Sequence, residues 1–153
     1  LIRREEADLG AALGEEAELL RAALPHTRIR FAAAGDTRGQ FDASRLREAV
    51  HNLASNAAKY GDAGTAVDIR VRGHAGAITV TVSNAGPDLD DDALRVMFDP
   101  LRRGSRSASQ GEHASLGLGL FLVREITRAH GGSVEAASSD GTTTFSITLP
   151  RNT

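Results

Sequence analysis

The chain has 153 residues, 41% hydrophobic and 25% charged, with five histidines, no cysteine and a net charge of −2. That is ordinary for one globular domain with a single two-layer core in a cytoplasmic setting. It excludes a basic footprint for nucleic acid, a disulfide framework and a thiolate metal site. Leu9, Leu13, Leu20 and Leu24 keep a helical stripe, weakened in front by Gly10 and Gly14. A helix is therefore expected over Glu15 to Ala23, with Pro25 as its stop. Thr27 to Ala33 alternates through Ile29 and Phe31 and reads as a strand, followed by a loop from Gly35 to Gly39. Asp42 is a good N-cap for the next helix, Phe41 and Leu46 occupy the positions of a hydrophobic staple, and the helix runs to about Tyr60 before Gly61.

Val67, Ile69 and Val71 alternate with polar residues, as do Ile78, Val80 and Val82, and His74-Ala75-Gly76 joins the two runs into a hairpin. Asp90 to Phe98 reads as a short helix, and Arg102 to His113 as a mobile loop without periodicity. A helix is expected from about Leu116 to Ala129, ended by Gly131-Gly132. The apolar run inside it, Leu116 to Val123, is too short and Gly-rich to span a bilayer, so no membrane contact is expected. Ser133 to Ala137 and Thr143 to Leu149 form a closing hairpin. Hairpins mixed with helices predict an α+β two-layer sandwich, a mixed and mostly antiparallel sheet with helices on one face.

The second helix carries two stripes. Leu46, Val50, Leu53 and Ala57 make an apolar face, while Asn52, Asn56 and Lys59, at i, i+4 and i+7, make a polar line about 100° round from it. Asn is a poor helix former, so two of them mid-helix need a reason. The line is either a solvated flank or the polar wall of a pocket able to hold a hydrated metal and a phosphate chain. Three more stretches bear on that choice. Ser83-Asn84-Ala85-Gly86-Pro87-Asp88-Leu89 ends the hairpin, and strand parity turns Asn84 inward with Ile78, Val80 and Val82. Met97-Phe98-Asp99-Pro100-Leu101-Arg102-Arg103-Gly104 places an arginine pair in the loop. Ser115-Leu116-Gly117-Leu118-Gly119-Leu120 is expected to open a helix at Gly117 and Gly119, where free backbone amides make an anion site.

In that order, the four stretches resemble the N, G1, F and G2 boxes of sensor histidine kinases, within the Bergerat-fold ATP-binding proteins, and cover residues from about 40 to 150. The resemblance implies a Bergerat fold over 1–153 as a single catalytic domain, a fragment of a longer sensor whose His-bearing dimerisation domain lies elsewhere. It also implies ATP and Mg²⁺ as ligands. Partners would be the dimerisation domain and a response regulator, with no nucleic acid. By matched position, Asn56 would bind Mg²⁺, with Asn52 and Lys59 helping to hold metal and phosphates. Arg103 would reach the terminal phosphates and, with Asn52, form the catalytic pair. Tyr60, Leu89, Met97, Leu118 and Leu120 would pack on the adenine side. Asn84 and Gly86 would meet the base, Gly117 and Gly119 the phosphates, and Thr143 the pocket side of the last strand.

Hydrolytic relatives carry Glu at the position of Asn52, which cannot act as a general base, so ATP would be held for transfer. The loop from Pro100 to Ser115 would be the lid over the nucleotide. Three departures stand out: Asn84 for the usual Asp, Asp88 for the last glycine of the G1 box, and Ser115 for the first glycine of the G2 box. They admit an alternative, a degenerate module in a sensor acting mainly as a response-regulator phosphatase. The Asn-x-Gly-Pro form of the G1 box resembles bacteriophytochrome-type light-sensing kinases. None of the five histidines resembles the phospho-acceptor.

Overall fold

The computed structural model describes residues 1–62, 64–90, 92, 98 and 110–151, with side chains from 119 onward in the last stretch. The elements are β1 (Glu5–Asp8), α1 (Leu9–Ala23), β2 (Arg28–Ala34), β3 (Arg38–Phe41) and α2 (Ala43–Tyr60). They are followed by β4 (Ala66–Gly73), β5 (Ala77–Ala85), α3 (Gln110–Ala129), β6 (Ser133–Ser139) and β7 (Thr142–Pro150). Five strands make the main sheet in the order β2-β4-β5-β7-β6; β2 and β4 are parallel and every other neighbour pair is antiparallel.

Alternation sorts the two faces. Val67, Ile69 and Val71, Ile78, Val80 and Val82, and Phe145, Ile147 and Leu149 are all buried. Their neighbours Arg70, Thr81 and Ser146 lie on the opposite, more solvated face. The inner face is covered by Leu9, Leu13 and Leu20 of α1, Leu46, Val50 and Leu53 of α2, and Leu120, Val123 and Ile126 of α3, which join it in one core. The two-layer α+β arrangement expected from the sequence is therefore present. Among the described residues no helix is long and apolar enough to cross a membrane.

Several boundaries differ from the expectation. α1 starts at Leu9, six residues early, because Asp8 caps it by accepting the Ala11 N–H at 3.3 Å. The expected loop after Gly35 contains β3, which pairs antiparallel with β1 in a small second sheet. α3 begins at Gln110, not near Leu116, so the helix takes in residues 110–115 of the expected lid. The short helix expected over Asp90 to Phe98, and the lid between 99 and 109, lie outside the described residues apart from Asp90, Asp92 and Phe98.

α3 ends in a double hydrogen bond, Gly131 N–H to Arg128 O and Gly132 N–H to Thr127 O, with Gly131 at φ 75°. This is the Schellman closure that the Gly-Gly pair predicts. Just before it, His130 is buried, its Nδ1 donating to Ile126 O and its Nε2 accepting the Asp42 N–H at 3.0 Å. The end of α3 thus holds the start of α2.

Candidate functional site

On α2 the apolar stripe of Leu53, Ala54 and Ala57 is buried, which leaves the polar line edge-on to the core. Asn52 and Asn56 are half-buried and Lys59 is exposed, its Nζ 5.7 Å from the Tyr60 ring centroid. α3 passes beside the asparagines: a Cβ built on Gly119 would lie 3.6 Å from Asn56 Nδ2 and 3.9 Å from Asn52 Cβ. Asn56 Nδ2 is buried and has no hydrogen-bond partner among the described residues.

A buried amide left unpaired costs ~1–3 kcal/mol, so this position suits a ligand that pairs with it. Half a turn about the last side-chain torsion presents Oδ1 there instead, a hard oxygen of the kind that Mg²⁺ takes. The residues present therefore fit a hydrated magnesium ion, with Asn56 and Asn52 to hold it and Lys59 to offset phosphate charge.

The other side of the site is the end of the sheet. Asn84 on β5 is the register partner of Thr143 on β7, which is in turn the partner of Ser138 on β6. All three share the inward phase, just beyond the hydrophobic rows. Ser138 Oγ lies 3.2 Å from Thr143 Oγ1 and accepts the Leu89 N–H at 2.9 Å. Asp88 Oδ1 accepts the Gly141 N–H at 2.8 Å, and Gly86 N–H donates to Gly141 O at 2.9 Å. Gly141 and Asp140 both have positive φ, 76° and 53°, as a two-residue hairpin turn requires. The G1 segment is thus laid against the β6–β7 turn by three hydrogen bonds, one of them from the departure Asp88.

Asn84 Nδ2 donates to Ala85 O at 3.1 Å and rests against Gly61 at the end of α2. Leu89 and Tyr60 are half-buried and packed on the core. Phe98 sits edge-on to Phe145, centroids 6.0 Å apart, and so fixes the start of the F-box segment to β7.

Asn52, Asn56 and Gly119 thus meet at one place, and Asn84, Gly86, Leu89 and Thr143 gather at the sheet end, joined to α2 through Gly61. Leu120 does not line the site: it has no exposed surface and belongs to the core, because it faces the sheet one position on from Gly119. Gly117 and Gly119 lie inside α3, not at its start. The helix carries on from Gln110, so their amides are committed to carbonyls four residues back and the expected helix-end anion site is not formed. The Gly117 and Leu118 side positions, Met97 and Arg103 lie outside what is described.

Two residues outside the expected set also join this arrangement: Ser138 on β6, facing Thr143, and Gly61, on which the Asn84 amide rests. For Ser138 the signal was present in its inward parity. Among the described residues, a cleft of about 510 Å³ between α1 and α2 is lined by Glu15, Glu16, Arg47 and His51, and includes none of the expected site residues.

The family model described as Histidine kinase-, DNA gyrase B-, and HSP90-like ATPase matches residues 41–153. The sensor histidine kinase TrcS of Mycobacterium tuberculosis is 39% identical over 114 residues, which are 71% of this chain and 22% of that protein. The catalytic domain of histidine kinase ThkA, nucleotide free, superposes with a TM-score of 0.82 at 22% identity, over 99% of this chain and 97% of that one. Full-length ShkA in complex with AMPPNP matches with a TM-score of 0.79 at 27% identity, over all of this chain and 32% of that one. The chain therefore spans about a fifth of TrcS and a third of ShkA. These matches lend no support to the bacteriophytochrome-type resemblance drawn from the G1 box.

Proposed function

The chain belongs to the histidine kinase-, DNA gyrase B-, and HSP90-like ATPases, and from that premise we propose that it binds Mg·ATP and presents the γ-phosphate to a histidine on a separate helical dimerisation domain. The parent would be a two-component sensor kinase that passes the phosphoryl group to a response regulator. The observation that carries this reading is the buried Nδ2 of Asn56, without a hydrogen-bond partner among the described residues, beside Asn52 and Gly119.

Catalysis in such a site is positioning and charge neutralisation, with little covalent work for the protein. Mg²⁺, when bound, would supply Lewis-acid charge to the phosphates. Asn56 would hold it, Asn52 would support it, and Lys59, on the exposed rim, would offset the charge of a phosphate oxygen. By its matched position in the sequence, Arg103 would serve the terminal phosphates. Asn52 has no basic lone pair to take a proton from water, so this wall does not activate hydrolysis. The base lies across Asn84, Gly86, Leu89 and Thr143. A degenerate module acting mainly through phosphatase activity is the weaker reading, since Asp88 accepts a hydrogen bond that fastens the base-side segment.

Calorimetric titration with Mg²⁺ and AMPPNP tests the reading. Saturable, metal-dependent binding is expected, and no binding at millimolar ligand would refute it. Incubation with γ-labelled ATP should leave the chain unlabelled. Among its histidines, His130 is buried and His51 Nδ1 lies 3.1 Å from Glu16 Oε2.

A further inference from the structure

The way the chain leaves β5 depends on a carboxylate. Ala85 and Thr142 are the last register partners of β5 and β7. Gly86 and Gly141 would be the next pair, and half of it is made: Gly86 N–H donates to Gly141 O at 2.9 Å. In a continuing antiparallel ladder, Gly141 N–H would donate back to Gly86 O. It donates instead to Asp88 Oδ1, at 2.8 Å. A side chain thus closes the ladder where a main-chain carbonyl would have extended it, and the chain departs from the sheet at Gly86. Pro87 has no N–H with which to carry the pairing on. The chain then crosses the end of β7 toward β6, where Leu89 N–H donates to Ser138 Oγ at 2.9 Å and the Leu89 side chain packs on the core. The residue that Asp88 grips is itself set by its turn, Gly141 at φ 76° beside Asp140 at 53°.

Asp88 stands where the G1 box ends in glycine, a residue with no side chain to make this bond. We propose that Asp88 is a positioning residue of the nucleotide site: by holding Gly141 N–H, it keeps the segment from Gly86 to Leu89 folded across the sheet end before any nucleotide arrives. This role rests on the nucleotide-site reading above and adds the β6–β7 turn to what sets affinity, although the turn need not touch the ligand. A wall ordered in advance loses less freedom on binding, which strengthens binding without any new contact. Without Asp88 the segment is tied only at Gly86 and Leu89, and the two residues between them can reorganise. The carboxylate is exposed, so water competes for it and the effect is moderate.

The test compares the whole chain as wild type, Asp88→Ala and Asp88→Asn. Each is titrated calorimetrically with the Mg²⁺ complex of AMPPNP, and exchange of the Gly141 amide is followed by NMR without nucleotide. In free wild type that amide should be protected. In Asp88→Ala it should exchange faster while amides in the middle of β5 and β7 stay as they were, which separates a local release from a general loss of stability. Asp88→Ala should bind ~3-fold or more weaker than wild type, and Asp88→Asn, which keeps an Oδ1 acceptor, should stay within ~2-fold of it. Equal or tighter binding by Asp88→Ala would overturn the inference while leaving the nucleotide site standing. So would an equal loss in Asp88→Asn, because charge and not the bond would then be at work. If Asp88→Ala does not fold, free wild type decides: an unprotected Gly141 amide means that the segment is not held, and the inference fails. Absence of binding to wild type would overturn the functional reading itself, and this inference with it.

Discussion

Asn56 is a half-buried residue whose Nδ2 has no hydrogen-bond partner among the described residues, so its truncation separates binding from folding. Asn56→Ala should leave stability within ~1 kcal/mol of wild type, because deleting an unpaired buried donor relieves a cost as well as losing contacts. The same change should abolish the Mg²⁺-dependent part of nucleotide affinity. Titration with and without metal, beside a urea melt, reads both. His130 makes the opposite case, a side chain whose two ring nitrogens are both used. Burial pushes its pKa below the ordinary 6.5. Its neutral form accepts the Asp42 N–H, and protonation would put a donor where that acceptor is required. The folded pKa is the lower one, so the contribution of the neutral ring is whole above about 6.5 and is lost as pH falls from there through the lowered folded value. His130→Gln keeps an acceptor and a donor but does not titrate. Its melting temperature should therefore fall less than that of wild type between pH 7.5 and 5.5, as followed by circular dichroism. Equal falls would remove His130 from the acid response.

At the scale of elements, what could be read in the sequence was what its own periodicity carries. β4 and β5 alternate strictly, α2 has both a cap and a stripe, and the last hairpin has its turn residues, so each stood out locally. The first turns of α1, Leu9 to Gly14, did not, because Gly10 and Gly14 depress helix propensity while their benefit comes from elsewhere in the chain. A Cβ on Gly10 would meet Thr37 Oγ1 at 2.7 Å, and one on Gly14 would meet the Phe31 ring at 3.3 Å. Thr37 cannot swing away without giving up its bond to Asp8 Oδ1, the very group that caps α1. Gly10→Ala should therefore destabilise by roughly 1–3 kcal/mol despite the helix propensity gained, since crowding outweighs the ~1 kcal/mol that alanine offers. Gly14→Ala, where only a ring must shift slightly, should be near neutral. Denaturant melts of the two variants test the contrast. β1 and β3 are not legible for a related reason: each is four residues of mostly polar sequence whose pairing partner among the described residues is some thirty positions away. Within the site, Asn52, Asn56, Asn84 and Thr143 were legible from helical spacing and strand parity. The roles of Gly61, Ser138 and Asp88 were not, because a hydrogen bond across the sheet end leaves no periodic trace.

For the molecule as a whole, the long-range ties converge away from the site as well as on it. Arg151, next after β7, donates to the carbonyls of His74, Arg38 and Asp36, which lie 77, 113 and 115 residues earlier in the chain. One guanidinium therefore joins the end of β7 to the β4–β5 turn, the β2–β3 turn and the small sheet. Viewed in time instead of space, such a clasp can close only after the end of β7, the small sheet and the two turns have found their places. Its bonds are therefore expected to form after the folding barrier. Arg151→Ala should hence leave the refolding rate nearly unchanged and raise the unfolding rate, by about tenfold for each ~1.4 kcal/mol that the charged hydrogen bonds contribute. Stopped-flow chevrons of wild type and variant would show a shifted unfolding limb over a common refolding limb. The durability of the fold, meaning how long one molecule stays folded, would then be set by a residue remote from anything it binds.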